Sequence, residues 1–225
     1  MCRGKREFSE NVYGDGGRCM KKRRIFRNLN DKEFAWVLYD VGNSAYTMLA
    51  CALIPIWFKA MAIGTKPGQL TSDRATAYYS MAIAVITIVV ALLGPVCGAI
   101  SDYKGMKKIF FTSTVAVGVC GCILNGFACQ WIVFLLLFAA TKIFYNMSLM
   151  FYDSMLNDIT TEERMDEVSS YGYAWGYLGS CIPFLIALVA YVFGPDMVGI
   201  ISGKLSMAIG FAVTGLWWLL VTVPL

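Results

Sequence analysis

Histidine is absent from the chain. Its absence removes the commonest general base and metal ligand, and with it hydrolytic arrangements that pair a serine or cysteine with an imidazole. Charge is scarce as well: 15% of residues are Asp, Glu, Lys or Arg against 58% hydrophobic, and the mean hydropathy is +0.60. No soluble domain hides that much apolar surface in one core, so lipid is the expected surrounding. A disulfide framework is not expected either. Cys51, Cys97, Cys120, Cys122, Cys129 and Cys181 fall in apolar stretches, where a thiol behaves as a small hydrophobe. Cys120 and Cys122 are two apart and point to different faces of a helix, a poor metal pair. Neither a metal nor another cofactor is expected, and no nucleophile and base stand out, so no catalytic residue is assigned.

What the chain does have is long uncharged runs. Residues 34–58 carry one charge, Asp40, and residues 78–100 none. Either run is long enough to cross a hydrocarbon core of roughly 30 Å at about 1.5 Å per residue. Residues 109–141 hold no charge, too long a run for one crossing and too short for two. A break at Asn125-Gly126 and at Gln130, before the interfacial Trp131, divides it into spans 109–127 and 131–152, the second carrying Lys142 near its middle. Residues 153–167 read as an acidic, solvated connection, and 170–193 and 205–225 as the last two spans. The expectation is an all-α polytopic protein: a basic tail, 1–33, followed by a six-span bundle, 34–225. Asn30 followed by Glu33 suggests a capping box at the first span.

Basic residues set the orientation. More than half of the Lys and Arg residues precede the first span, with Lys21, Lys22, Arg23, Arg24 and Arg27 clustered, and Lys104, Lys107 and Lys108 crowd the loop after the second span. Both ends are therefore expected to be cytoplasmic, with the basic cluster as a topological anchor and no nucleic-acid partner. The plasma membrane is the expected location.

The most specific motif is Gly98-Ala-Ile-Ser-Asp102-Tyr-Lys104-Gly105-Met-Lys107-Lys108. Gly94 and Gly98 form a face that lets another helix approach closely, Asp102 offers a carboxylate at the helix end, and Gly105 permits a tight turn. Gly172, Gly176 and Gly179 make a second small-residue stripe, in span five. The first motif resembles the signature of the major facilitator superfamily, with Tyr103 where the family usually has a basic residue. Trp36-Val-Leu-Tyr39-Asp40-Val-Gly-Asn43-Ser44-Ala45, Phe151-Tyr152-Asp153-Ser-Met-Leu156-Asn-Asp158-Ile159 and Ser170-Tyr-Gly172-Tyr-Ala174-Trp-Gly176-Tyr177-Leu178-Gly179 are similar to the UMF branch, which includes fungal vacuolar amino-acid effluxers.

The resemblance covers roughly 34–225. It implies six helices as two three-helix inverted repeats, like the N-terminal domain of that fold, with the C-terminal six-span half missing or supplied by a second chain. It also implies secondary transport of an amino acid or other small solute by alternating access, with Gly98, Asp102, Lys104, Gly105, Lys107 and Lys108 as a gating signature. Spans one and four would line the pathway. Asp40, Asn43 and Thr47 share one helical face, and Lys142 and Asn146 another. Charges inside a membrane need partners or water, so an Asp40–Lys142 bridge flanked by these polar stripes, suited to a zwitterion, is the expected pathway. The alternative is a six-span solute-binding subunit of a multi-component uptake system, which has no reason to carry the Gly98–Lys108 signature.

Overall fold

The computed structural model describes residues 29–103, 105–194 and 198–225. Most of the basic tail, with the Lys21–Arg27 cluster, and Lys104 of the signature lie outside the described residues.

The first helix begins where the local chemistry favours it. Asn30 accepts a hydrogen bond from the Glu33 amide at 2.8 Å, while the Glu33 carboxylate accepts from the Asn30 amide at 2.8 Å, so two orphan donors are satisfied reciprocally. From there α1 (Asp31–Ala62) runs through, followed by α2 (Ser72–Ser101), α3 (Met106–Asn125), α4 (Trp131–Ile159), α5 (Glu162–Val192) and α6 (Gly203–Thr222). All six are long and apolar enough to cross a membrane, and the chain is an all-α polytopic membrane protein. Gly105, with φ 82°, sits in the left-handed region that only glycine enters freely, and it turns α2 sharply into α3. Ser202 caps α6 by accepting from the Leu205 amide at 3.2 Å.

The helices differ in extent from the apolar runs. α4 continues past Tyr152 to Ile159 and α5 begins at Glu162, so the stretch expected to be a solvated connection is helical except at Thr160 and Thr161. Hydropathy marks only the hydrocarbon slab, and polar turns that extend into the headgroup layer keep their helical hydrogen bonds. α1, at 32 residues, spans about 48 Å, slightly more than the roughly 40–45 Å of slab plus headgroups.

α1 is the hub, packed between α5 and α6 with α4 facing it; α4 in turn packs between α2 and α3. Much of this pattern survives when helices one, two and three are exchanged for four, five and six: α1–α5 corresponds to α4–α2, α1–α6 to α4–α3, and α3–α6 to itself, whereas α5 packs closely on α6 and α2 barely touches α3. Lipid tails are as apolar as the side chains they meet, so close packing and internal hydrogen bonds hold such a bundle. Here the packing is aromatic. Trp218, Tyr39, Tyr46, Phe58, Phe134, Phe138, Phe151 and Phe211 are fully buried. Trp131, at the start of α4, donates to the Gly68 carbonyl at 2.9 Å and ties down the α1–α2 loop.

The candidate solute pathway

α1 and α4 run antiparallel, and a ladder of contacts fixes their register. Glu33 meets Thr160, whose hydroxyl donates at 2.9 Å, and Arg164 at 3.2 Å. Trp36 stacks on Tyr152 with ring centroids 4.3 Å apart and donates to its carbonyl at 3.1 Å. The Tyr39 and Ser148 hydroxyls share a hydrogen bond of 2.8 Å, Asn43 and Thr47 meet Tyr145, and Tyr46 meets Lys142.

That register removes the bridge expected from the sequence. Lys142 stands level with Tyr46, six residues beyond Asp40 and so about 9 Å deeper along the helix. Its ammonium lies 5.7 Å from the Tyr46 ring centroid and 4.6 Å from that of Tyr145. No Asp40–Lys142 ion pair forms among the described residues. Placing the end of α4 at Tyr152 had made the two depths look closer than they are.

Asp40 instead looks into a cavity of about 460 Å³ between α1, α4 and α5. From α1, Trp36, Asp40, Asn43, Ser44, Thr47 and Met48 line it. α4 contributes Tyr145, Leu149, Tyr152, Asp153 and Leu156, and α5 contributes Ser169, Tyr173 and Tyr177. A hydrogen-bonded chain runs down one wall to the carboxylate. The Thr47 hydroxyl meets Tyr145 Oη, which donates to Asn43 Oδ1 at 3.5 Å, and Asn43 Nδ2 donates to Asp40 Oδ1 at 3.2 Å. Lys142 and Asn146 do not line the cavity; Asn146 donates to the Lys142 carbonyl at 2.8 Å within its own helix.

The glycine stripes separate. A Cβ at Gly172 would lie 2.9 Å from the Trp36 ring, and one at Gly176 would lie 2.9 Å from Ser44 Oγ and 3.0 Å from Asp40 Oδ2. Gly179 abuts Val41, so the α5 stripe is taken up by α1 and lets the Asp40 carboxylate rest against the α5 backbone. On α2, by contrast, Gly94 meets only the Met150 methyl at 3.6 Å, and Gly98 faces open space.

Of the signature, Lys107 bridges to Asp158 at 2.5 Å and donates to the Ser154 carbonyl at 3.1 Å, pinning the start of α3 to the end of α4. Asp158 therefore has a definite partner and is more than part of a solvated acidic stretch. Asp102 and Lys108 are exposed, and Asp102 has no side-chain partner among the described residues. Sequence reading missed Asp153 as a wall residue, along with Trp36, Tyr145, Tyr152, Tyr173 and Tyr177. The signal was present, since Lys142, Asn146, Leu149 and Asp153 follow one helical face. It was hidden by ending the span at Tyr152.

The chain is 34% identical over 204 residues to an uncharacterized MFS-type transporter, YxiO, of Bacillus subtilis strain 168. The match takes in 89% of this chain and 47% of the relative, so the chain spans about half the length of the curated relative it matches. No family model and no solved structure matches.

Proposed function

We propose that this chain is the N-terminal six-span half of a secondary transporter of the major facilitator type, and not an enzyme. It works by alternating access against a second six-span unit. The carrying observation is the cavity between α1, α4 and α5, with Asp40 at the end of a hydrogen-bonded chain, in a bundle whose helix packing partly repeats after three helices. Similarity to an MFS-type transporter favours this reading over a solute-binding uptake subunit.

In this reading both ends of the chain are cytoplasmic, and the cavity is half of a solute pathway whose other wall the second unit supplies. Asp40, Asn43 and Thr47 touch the solute or a coupling ion. Lys142 and Asn146 lie deeper on the same seam. Gly98, Asp102 and Gly105, with Lys104, Lys107 and Lys108, control the conformational equilibrium from the loop between α2 and α3. The open Gly94–Gly98 face and the exposed Asp102 are where the second unit docks. The solute is small, with an amino acid as the class suggested by the UMF resemblance, and the plasma membrane is the proposed location.

The test is reconstitution of the purified chain in liposomes, alone and together with a second six-span unit. Uptake only in the paired sample is the expected result; robust uptake by a demonstrably monomeric chain contradicts the half-transporter reading.

A further inference from the structure

The cavity has a charge character that the sequence alone did not reveal. Two of its wall residues are carboxylates, Asp40 from α1 and Asp153 from α4, and none is basic. The nearest lysine on the seam, Lys142, keeps its ammonium over the rings of Tyr46 and Tyr145 and does not line the cavity. Arg164 is engaged with Glu33 and Glu167 near the helix ends. Only one of the Asp40 oxygens receives a hydrogen bond from a described side chain, that of Asn43.

Five aromatic residues also line the wall, among polar and aliphatic ones. Trp36 and Tyr152 stack on one another and are buried, whereas Tyr173 and Tyr177 are exposed and present rings whose faces attract cations. The Tyr152 hydroxyl is buried in the same wall and has no hydrogen-bond partner among the described residues. At about 460 Å³ the space suits a small organic molecule and is far larger than a site that must enclose a bare metal ion in oxygen ligands.

We propose that this half-site binds a small organic cation, an amine or quaternary ammonium group held by Asp40 and Asp153 against the exposed rings of Tyr173 and Tyr177. The proposal rests on the transporter reading for its purpose, since it names the class of solute the pathway takes, but binding can be measured without transport. It takes the place of the amino acid that the UMF resemblance implies and of the zwitterion expected from an Asp40–Lys142 pair, because the cation site and Lys142 stand at different depths.

The experiment uses the full chain purified into lipid nanodiscs and tritiated benzyltrimethylammonium as the probe. Competitors are its uncharged isostere neopentylbenzene, the anion phenylacetate and sodium chloride at matched concentration. Saturable binding, displaced by the unlabelled cation and by none of the three competitors, is expected. Asp40→Asn and Asp153→Asn should each weaken binding about tenfold, the usual scale for losing one charged contact, and the double variant should abolish it. Asp153→Glu, which keeps the charge, should restore binding, and size-exclusion profiles identify any variant that fails to fold.

Phenylacetate or neopentylbenzene competing as well as the cation overturns the proposal. So does displacement by sodium, unchanged binding in a folded double variant, or no saturable binding to the folded parent chain. Cation binding without transport in the paired reconstitution leaves this inference standing and removes the transporter reading. Transport of neutral or anionic solutes alone does the reverse.

Discussion

Asp40 and Lys142 are both intramembrane charges on the α1–α4 seam, yet their surroundings are opposite in kind. The carboxylate sits in the wall of a cavity, takes one amide hydrogen bond and rests against the α5 backbone where Gly176 leaves room. The ammonium sits deeper and is covered by two aromatic rings. A charge near mid-bilayer costs on the order of 2.5–3.5 kcal/mol on insertion scales. Desolvated cation–π contacts return about 2 kcal/mol or more, so Lys142 is largely compensated by the protein itself. Asp40 has no such cover, and water or a ligand in the cavity must supply the difference. The deeper charge is thus covered by the protein itself, and the shallower one faces the cavity.

The largest expected effect comes from closing the seat of Asp40. Gly176→Leu forces a side chain into Ser44 and Asp40 and separates α5 from α1; it should yield little monodisperse protein in detergent. Gly98→Leu, on the open face, should leave the chain as stable as the parent by thermal unfolding. Similar losses in both variants would break the distinction between the two glycine stripes.

A middle-sized effect is expected at Tyr145, the residue that serves both charges. Tyr145→Phe keeps the ring over Lys142 and deletes the hydroxyl that reaches Asn43 and Thr47, so thermal stability should fall by roughly 1 kcal/mol. Tyr145→Leu removes the ring as well and should destabilise further unless Lys142→Met accompanies it. A double-mutant cycle with no coupling between Tyr145 and Lys142 would mean that the ring does not cover the ammonium.

The smallest effect is expected at the signature loop. Lys107–Asp158 joins a partly exposed lysine to an aspartate whose side chain is 60% exposed, and such pairs are worth about 0–1 kcal/mol. Lys107→Met should barely move the unfolding temperature. A shift as large as that of Tyr145→Leu would give the loop a structural weight comparable to the seam.

The six membrane-length helices were legible because an uncharged run of span length is stable chiefly in lipid, and Asn30 with Glu33 marked the start of α1 by side-chain chemistry alone. The cavity was legible in part. Asp40, Asn43 and Thr47 follow one helical face, and that face does line the cavity. Lys142 was misplaced relative to Asp40 because hydropathy reports where lipid begins and says little about where a helix ends. α4 runs on through Asp153 and Asp158 to Ile159, and the antiparallel register that sets Tyr46 against Lys142 depends on contacts between residues far apart in sequence. The aromatic wall was hidden for a similar reason. Trp36, Tyr152 and Tyr173 come from three helices, and only their packing brings them to one cavity.

The most direct measurement compares Asp40→Asn and Lys142→Met in the chain reconstituted with a second six-span unit, as the proposed half-transporter requires, following transport alongside the quantity of folded protein. Asp40→Asn should fold and lose transport by at least about tenfold, the scale of one lost charged contact, while Lys142→Met retains most of it. Transport unchanged in Asp40→Asn, or abolished in a folded Lys142→Met, would contradict the assignment of the shallow carboxylate to the pathway and the deep lysine to structure.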